Sequence, residues 1–270
     1  MNLKRTVLAS GVAVTALLST GVAAGVATAE AGSAKPTVVL VHGAFADSSS
    51  WNGVIADLRR KGYPVIAPAN PLRGLRHDAQ YLRSVLNSVD GPIVLAGHSY
   101  GGTVMSEAAD RDRDVKALVY VASFQPEVGE STGELAAKFP GAELGPALRS
   151  VPFRAADGTT GNDLYIRQDR FRAVFAADVP RRTTDLMAVT QRPIAADALE
   201  DKAVKTAWKT IRSWSMITTK DLAIPAESMR FMAKRAKSAT VEIDASHAVT
   251  VSEPDAVASL IHKAARATAS

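Results

Sequence analysis

Ser99 stands in Gly97-His98-Ser99-Tyr100-Gly101-Gly102, directly after the apolar run Ile93–Ala96 and before a segment that reads as helix from about Thr103. A G-x-S-x-G sequence between a strand and a helix forces a turn so sharp that the serine backbone is strained and its hydroxyl stands exposed. Gly97 and Gly101 omit side chains that would collide with the neighbouring strand and helix, and Gly102 lets the helix pack closely. The helix N-terminus adds free N–H groups and positive potential. A serine hydroxyl is a poor nucleophile until a base accepts its proton, so the pattern calls for partners elsewhere in the chain.

In such a site an acid and then a histidine follow the serine. Two histidines do so, His247 and His262. His262 lies inside the last helical pattern, where packing or solvation suits it. His247 follows the strand-like Thr240–Ile243 and a short turn, at a strand's C-terminal end, where α/β sheets place catalytic groups. His247 is therefore the candidate base. The acid must fix the imidazole tautomer and stabilise the imidazolium. Asp221, on the loop between Trp214–Thr218 and Ile224-Pro225, fits best; Glu127 and Glu130 are runners-up, and Asp244 is too near His247 in sequence.

A tetrahedral intermediate also needs hydrogen-bond donors for its oxyanion. The expected donors are the N–H of Tyr100 and one from His42-Gly43-Ala44-Phe45, with Ala44 ahead of Phe45. Phe45 and His98 are candidate pocket residues, although His98 also suits a place beneath the elbow. His42 is expected to brace its loop and His77 to be solvated. No H-E-x-x-H spacing occurs, so neither a metal nor a cofactor is expected.

These residues need a sheet to hold them. Thr37–Val41, Pro64–Ala67, Ile93–Ala96, Ala117–Val121 and Trp214–Thr218 are β-branched or apolar runs without polar alternation, as in parallel strands buried on both faces. Thr240–Ile243 is a weaker sixth. Between them, Trp51, Val54, Ile55 and Leu58 repeat at helical spacing after Ser48-Ser49-Ser50, which reads as a cap. Leu82, Val85, Leu86 and Val89 repeat likewise, as do Val257, Leu260, Ile261 and Ala264, with Ser252 as cap and Pro254 in the first turn. This alternation predicts a mostly parallel six-stranded sheet with helices on both faces. It breaks over residues 125–211, read as an inserted, mainly helical cap between core segments 30–124 and 212–270. Helix-like pieces there are Asn162–Ala177 and Thr183–Thr190; Val151–Ile166, with Asp157-Gly158 inside, suits a hairpin. Apolar cap residues such as Phe139, Phe171 and Phe175 are expected to shape the pocket.

With 270 residues, 47% hydrophobic and 22% charged, the chain is long enough to bury its core without staples. It has no cysteine, which excludes disulfides, thiolate metal sites and a thiol nucleophile. Lys4 and Arg5 precede an uncharged stretch that ends at Ala27-Thr28-Ala29, the layout of a secretory signal peptide over residues 1–29. A retained anchor is the alternative. Removal of those two bases lowers the net charge from +5 to +3, too little to imply a nucleic-acid partner. The mature chain is expected outside the cytoplasm, without stable membrane association.

Val39-Leu40-Val41-His42-Gly43-Ala44-Phe45, Ala96-Gly97-His98-Ser99-Tyr100-Gly101-Gly102, Asp221 with Ile224-Pro225, and Ser246-His247-Ala248 resemble bacterial α/β-hydrolases. The likeness extends to small esterases similar to plant salicylate-type methylesterases and hydroxynitrile lyases. It is weakest in the cap, around Phe175-Ala176-Ala177-Asp178-Val179-Pro180. The resemblance implies the α/β-hydrolase fold, the triad Ser99, Asp221 and His247, and cleavage of a small-molecule ester. The sheet starts at Thr37, so an early hairpin of larger relatives is expected to be missing. Ala248 replaces the lysine that follows the histidine in the lyases, which argues against cyanide chemistry. A lactonase, a cofactor-free perhydrolase or a silent binding protein would keep the same scaffold.

Overall fold

The computed structural model describes residues 35–268; the expected signal peptide over residues 1–29 lies outside them. Nine strands are present among the described residues: β1 (Thr37–Val41), β2 (Val65–Ile66), β3 (Ile93–Ser99), β4 (Val115–Ser123), β5 (Leu148–Arg154), β6 (Thr160–Ile166), β7 (Ile194–Ala195), β8 (Ser213–Thr218) and β9 (Ala239–Ile243). Six form one sheet in the order β2-β1-β3-β4-β8-β9, and every pairing in it is parallel. The run expected over Pro64–Ala67 pairs only at Val65 and Ile66, at the sheet edge. Proline lacks the N–H a ladder needs, which shortens that strand at Pro64 and Pro68.

β1, β3 and β4 split their side chains between two cores. Val39, Val41 and Leu95 face one cluster with Leu82 and Leu86 of helix Leu75–Leu86 and Val104 and Met105 of helix Tyr100–Ala108. Val38, Leu40, Val94 and Ala96 face the other, with Val54 and Leu58 of helix Asn52–Arg60 and Val257, Leu260 and Ile261 of helix Pro254–Ala267. Burial on both faces is why these strands carry no polar alternation. The serines before Trp51 are not the cap. They form a 3₁₀ turn, Ser48–Trp51, whose N-cap is Asp47, accepting the Ser49 N–H at 2.7 Å. Ser252 likewise ends a short helix, Val249–Ser252, and Glu253 precedes Pro254.

Between β4 and β8 the chain leaves the sheet. It builds helices Thr132–Ala137, Leu144–Ala147, Gln168–Phe175, Arg181–Thr190 and Ala196–Glu200 around a three-stranded antiparallel sheet, β5-β6-β7. The cap is therefore mainly helical, and the hairpin expected over Val151–Ile166 is present as β5 and β6. Over Asn162–Ala177 the helix expectation fails in its first turn. Residues up to Ile166 belong to β6, paired from Leu148↔Ile166 to Arg154↔Thr160, and the helix starts only at Gln168. Gln191 fixes this end of β6, accepting the Ile166 N–H at 2.8 Å and donating to its carbonyl at 2.9 Å. Phe171 and Phe175 are buried, whereas Leu186 is 67% exposed.

Candidate active site

The order β2-β1-β3 places successive crossovers on opposite sides of β1, so the sheet has its switch point between β1 and β3. Loops diverge there and leave a crevice at the strands' C-terminal ends. The loop after β1 carries His42 to Phe45, and β3 ends at Ser99. Ser99 has φ 54° and ψ −128°, outside the ordinary regions for a residue with a side chain. Such strain costs about 1–3 kcal/mol and persists only when the surroundings enforce it. Here Ser123 Oγ donates to the Ser99 carbonyl at 2.7 Å, and the Phe124 N–H reaches it at 3.4 Å. A Cβ on Gly101 would lie 2.4 Å from the Val41 carbonyl, and one on Gly43 would lie 2.6 Å from Ser99 Cβ. Only glycine admits that approach of helix, strand and loop.

Asp221 and His247 meet, as the sequence indicates. His247 Nδ1 lies 2.7 Å from Asp221 Oδ2. A carboxylate only accepts, so Nδ1 carries the proton and Nε2 keeps its lone pair. Asp221 is itself held on every side: Oδ1 accepts the Ala223 and Ile224 N–H groups at 2.8 Å each, and Oδ2 accepts Thr218 Oγ1 at 2.8 Å. Asp221 and His247 are both buried, and Ser99 is 7% exposed. No hydrogen bond joins Ser99 Oγ to His247 among the described residues; such contacts often tighten only once substrate is bound.

Two backbone donors flank Ser99. Tyr100 opens its helix, so its N–H has no preceding turn to bond. The Phe45 N–H is already given to the Arg192 carbonyl at 3.0 Å, whereas the Ala44 N–H has no partner among the described residues. This singles out Ala44 from the two loop candidates. His42 fixes the loop's shape. Its Nε2 accepts the Asn70 N–H at 2.9 Å, so Nδ1 donates to the Gly43 carbonyl at 2.8 Å. Burial lowers the His42 pKa to about 4 and keeps the ring neutral. The Tyr100 side chain is anchored separately, its hydroxyl donating to the buried Asp78 at 3.0 Å.

His98 is corrected from a pocket residue to a brace. It is 1% exposed, its Nε2 donates to the His247 carbonyl at 2.8 Å, and the two rings lie 4.7 Å apart. Burial, with the His247 ring next in weight, lowers its pKa to about 3. Phe45, with φ 60°, borders a cavity of about 140 Å³ shared with Ser49, Thr183, Met187 and Gln191, whose lining does not include Ser99 or His247. Its ring also meets Phe175 edge to face at 6.3 Å.

The remaining candidates are engaged elsewhere. Glu127 pairs with Lys209, Glu130 with Arg235 at 2.7 Å, and Asp244 with Lys220 at 2.7 Å. His262 Nδ1 meets the Tyr63 hydroxyl at 2.7 Å. Among the described residues no group of three His, Asp or Glu side chains could hold a metal ion.

The model of the alpha/beta hydrolase family matches residues 38–260, which include the elbow, Asp221 and His247. The chain belongs to the alpha/beta hydrolase family. This α/β-hydrolase is 26% identical over 251 residues to the pyrethroid hydrolase of Sphingobium wenxiniae, covering 83% of this chain and 85% of that one. The solved structure of polyneuridine aldehyde esterase superposes with a TM-score of 0.74 at 18% identity, over 85% of this chain and 98% of that chain. The methylesterase MES16 from Arabidopsis does so at 0.71 and 17%, over 86% and 99%. The likeness to plant methylesterases expected from the motifs is thus matched in the fold of the α/β-hydrolase.

Sequence reading passed over three residues of this α/β-hydrolase that touch its core machinery. Thr218 was legible only as a buried strand end, and Asp78 only as a helical acid. Asp178 lies where the resemblance is weakest, yet it bonds the residue beside His247.

Proposed function

We propose that the protein hydrolyses carboxylic esters of small to medium hydrophobic substrates through an acyl-enzyme. The observation that carries this reading is the buried Asp221–His247 pair beside a strained serine. Ser99 attacks the ester carbonyl while His247 Nε2 takes its proton. The Ala44 and Tyr100 N–H groups receive the oxyanion, and the protonated His247 then gives its proton to the departing alkoxide. Water, activated by the same nitrogen, releases the acid and restores Ser99. The name of the pyrethroid hydrolase relative supports ester chemistry, since it shares most of this chain's length.

The test is Ser99→Ala assayed on p-nitrophenyl butyrate, beside labelling of the wild type with a fluorophosphonate. The substitution removes the burst and lowers kcat by roughly 10⁴- to 10⁶-fold. Full turnover in that variant, or a wild type that resists the label, overturns the reading. Lactones and a peracid assay in the same panel distinguish lactonase and perhydrolase outcomes, which use the same triad.

A further inference from the structure

We propose that Asp178 is a positioning residue that sets His247 through Ser246, so that the cap itself holds the catalytic base in place. The proposal rests on Ser99 and His247 being nucleophile and base. Asp221 fixes the imidazole tautomer through one nitrogen, but a single bond at Nδ1 does not fix how far the loop after β9 stands from β3. The cap supplies that constraint on both sides of His247. On one side, Asp178 Oδ2 accepts the Ser246 N–H at 3.0 Å and its Oδ1 accepts the Ser246 hydroxyl. On the other, the Phe175 carbonyl accepts the Ala248 N–H at 2.9 Å.

The chemistry suits each partner. Ser246 presents two donors in a fork, and a carboxylate is the side chain that accepts both with charge assistance. Asp178 forms no ion pair among the described residues, so no cation competes for its oxygens. Phe175 ends helix Gln168–Phe175, where carbonyls lack partners within the helix. The His247 loop thus satisfies a helix end that would otherwise be orphaned. The Phe175 ring also meets the His247 ring edge to face at 4.9 Å, while His98 supports the His247 carbonyl from beneath. A cap movement that broke these contacts would release the base from its place.

The experiment compares Asp178→Ala, Asp178→Asn, Ser246→Ala and the Asp178→Ala/Ser246→Ala double variant of the full chain on p-nitrophenyl butyrate. Asp178→Ala lowers kcat about 10- to 100-fold, the range expected of a displaced catalytic group, with KM changed less than about threefold. Asp178→Asn recovers most of the rate, because its amide oxygen still accepts the Ser246 N–H and its amide N–H can face the hydroxyl. Ser246→Ala lowers kcat alone, and the double variant is no slower than Asp178→Ala, as two members of one contact require. Wild-type kcat in Asp178→Ala overturns the proposal, as does an Asn variant as slow as the Ala variant, or multiplicative losses in the double variant. If Asp178→Ala does not fold, unchanged kcat in Ser246→Ala is the refuting result. Ser99→Ala separates the two claims. Turnover there sinks the nucleophile assignment, whereas a dead Ser99→Ala beside a fully active Asp178→Ala sinks only the positioning role.

Discussion

Replacing Asp221 by Asn isolates one proton. Asp221 Oδ1 already takes the Ala223 and Ile224 N–H groups, and an amide oxygen can keep both. The amide nitrogen then falls where Oδ2 was, facing His247 Nδ1 and Thr218 Oγ1. An N–H in that place forces His247 to accept at Nδ1, which moves its proton to Nε2. The nitrogen that should take the Ser99 proton is then occupied. The wrong tautomer costs roughly 10⁴-fold in kcat, which corresponds to about 5.5 kcal/mol of transition-state stabilisation. Stability changes far less, by about 1 kcal/mol, because the loop keeps its hydrogen bonds and the only clear loss is the Thr218 hydroxyl's acceptor. The assay is kcat/KM on p-nitrophenyl butyrate together with a urea midpoint for the same preparation. A variant within tenfold of wild type refutes the tautomer argument. A variant that is inactive because it has unfolded refutes the claim that the loop tolerates the amide.

Acid weakens the fold through two histidines that are buried neutral. His42 and His98 have pKa values lowered to about 4 and about 3, so between these values and the ordinary 6.5 the unfolded chain binds more protons. Their contribution is complete above pH 6.5 and is lost as pH falls, each by about 2 kcal/mol between pH 7 and 5; urea midpoints across that range that stay level would contradict it. Gly101→Ala pushes a methyl against the Val41 carbonyl and costs about 1–3 kcal/mol, with activity falling further because the same shift moves the Gly43-Ala44 loop; wild-type melting and turnover would count against that contact.

Much of this molecule is legible along the chain. The β-branched runs of β1, β3, β4 and β8 announce strands buried on both faces, because no polar face was left for water. The glycines around Ser99 announce a bend that side chains would block, and the structure puts backbone atoms in the space those side chains would fill. The order serine, acid, histidine leaves His247 and His262, and Asp221, Glu127 and Glu130, as candidates; loop positions at strand ends, which follow from the strand pattern, are what favour His247 and Asp221.

The sequence did not decide contacts between segments far apart in it. The Arg192 carbonyl takes the Phe45 N–H, whereas the Ala44 N–H has no partner among the described residues, but nothing local to either segment encodes that pairing. Residues 162–166 had two readings because their apolar spacing suits helix and strand alike. Pairing with β5 settled it, and a partner strand is a tertiary fact. His98 reads as a site residue from its place in the elbow, yet packing against Trp51, Phe175 and His247 buries it as a support. Asp178 is an ordinary acid in the stretch where the resemblance is weakest until the fold brings it to Ser246, 68 residues away. Periodicity and strain are properties of neighbouring residues and can be read in order; hydrogen-bond partnership across the crevice depends on distances that only the folded chain creates.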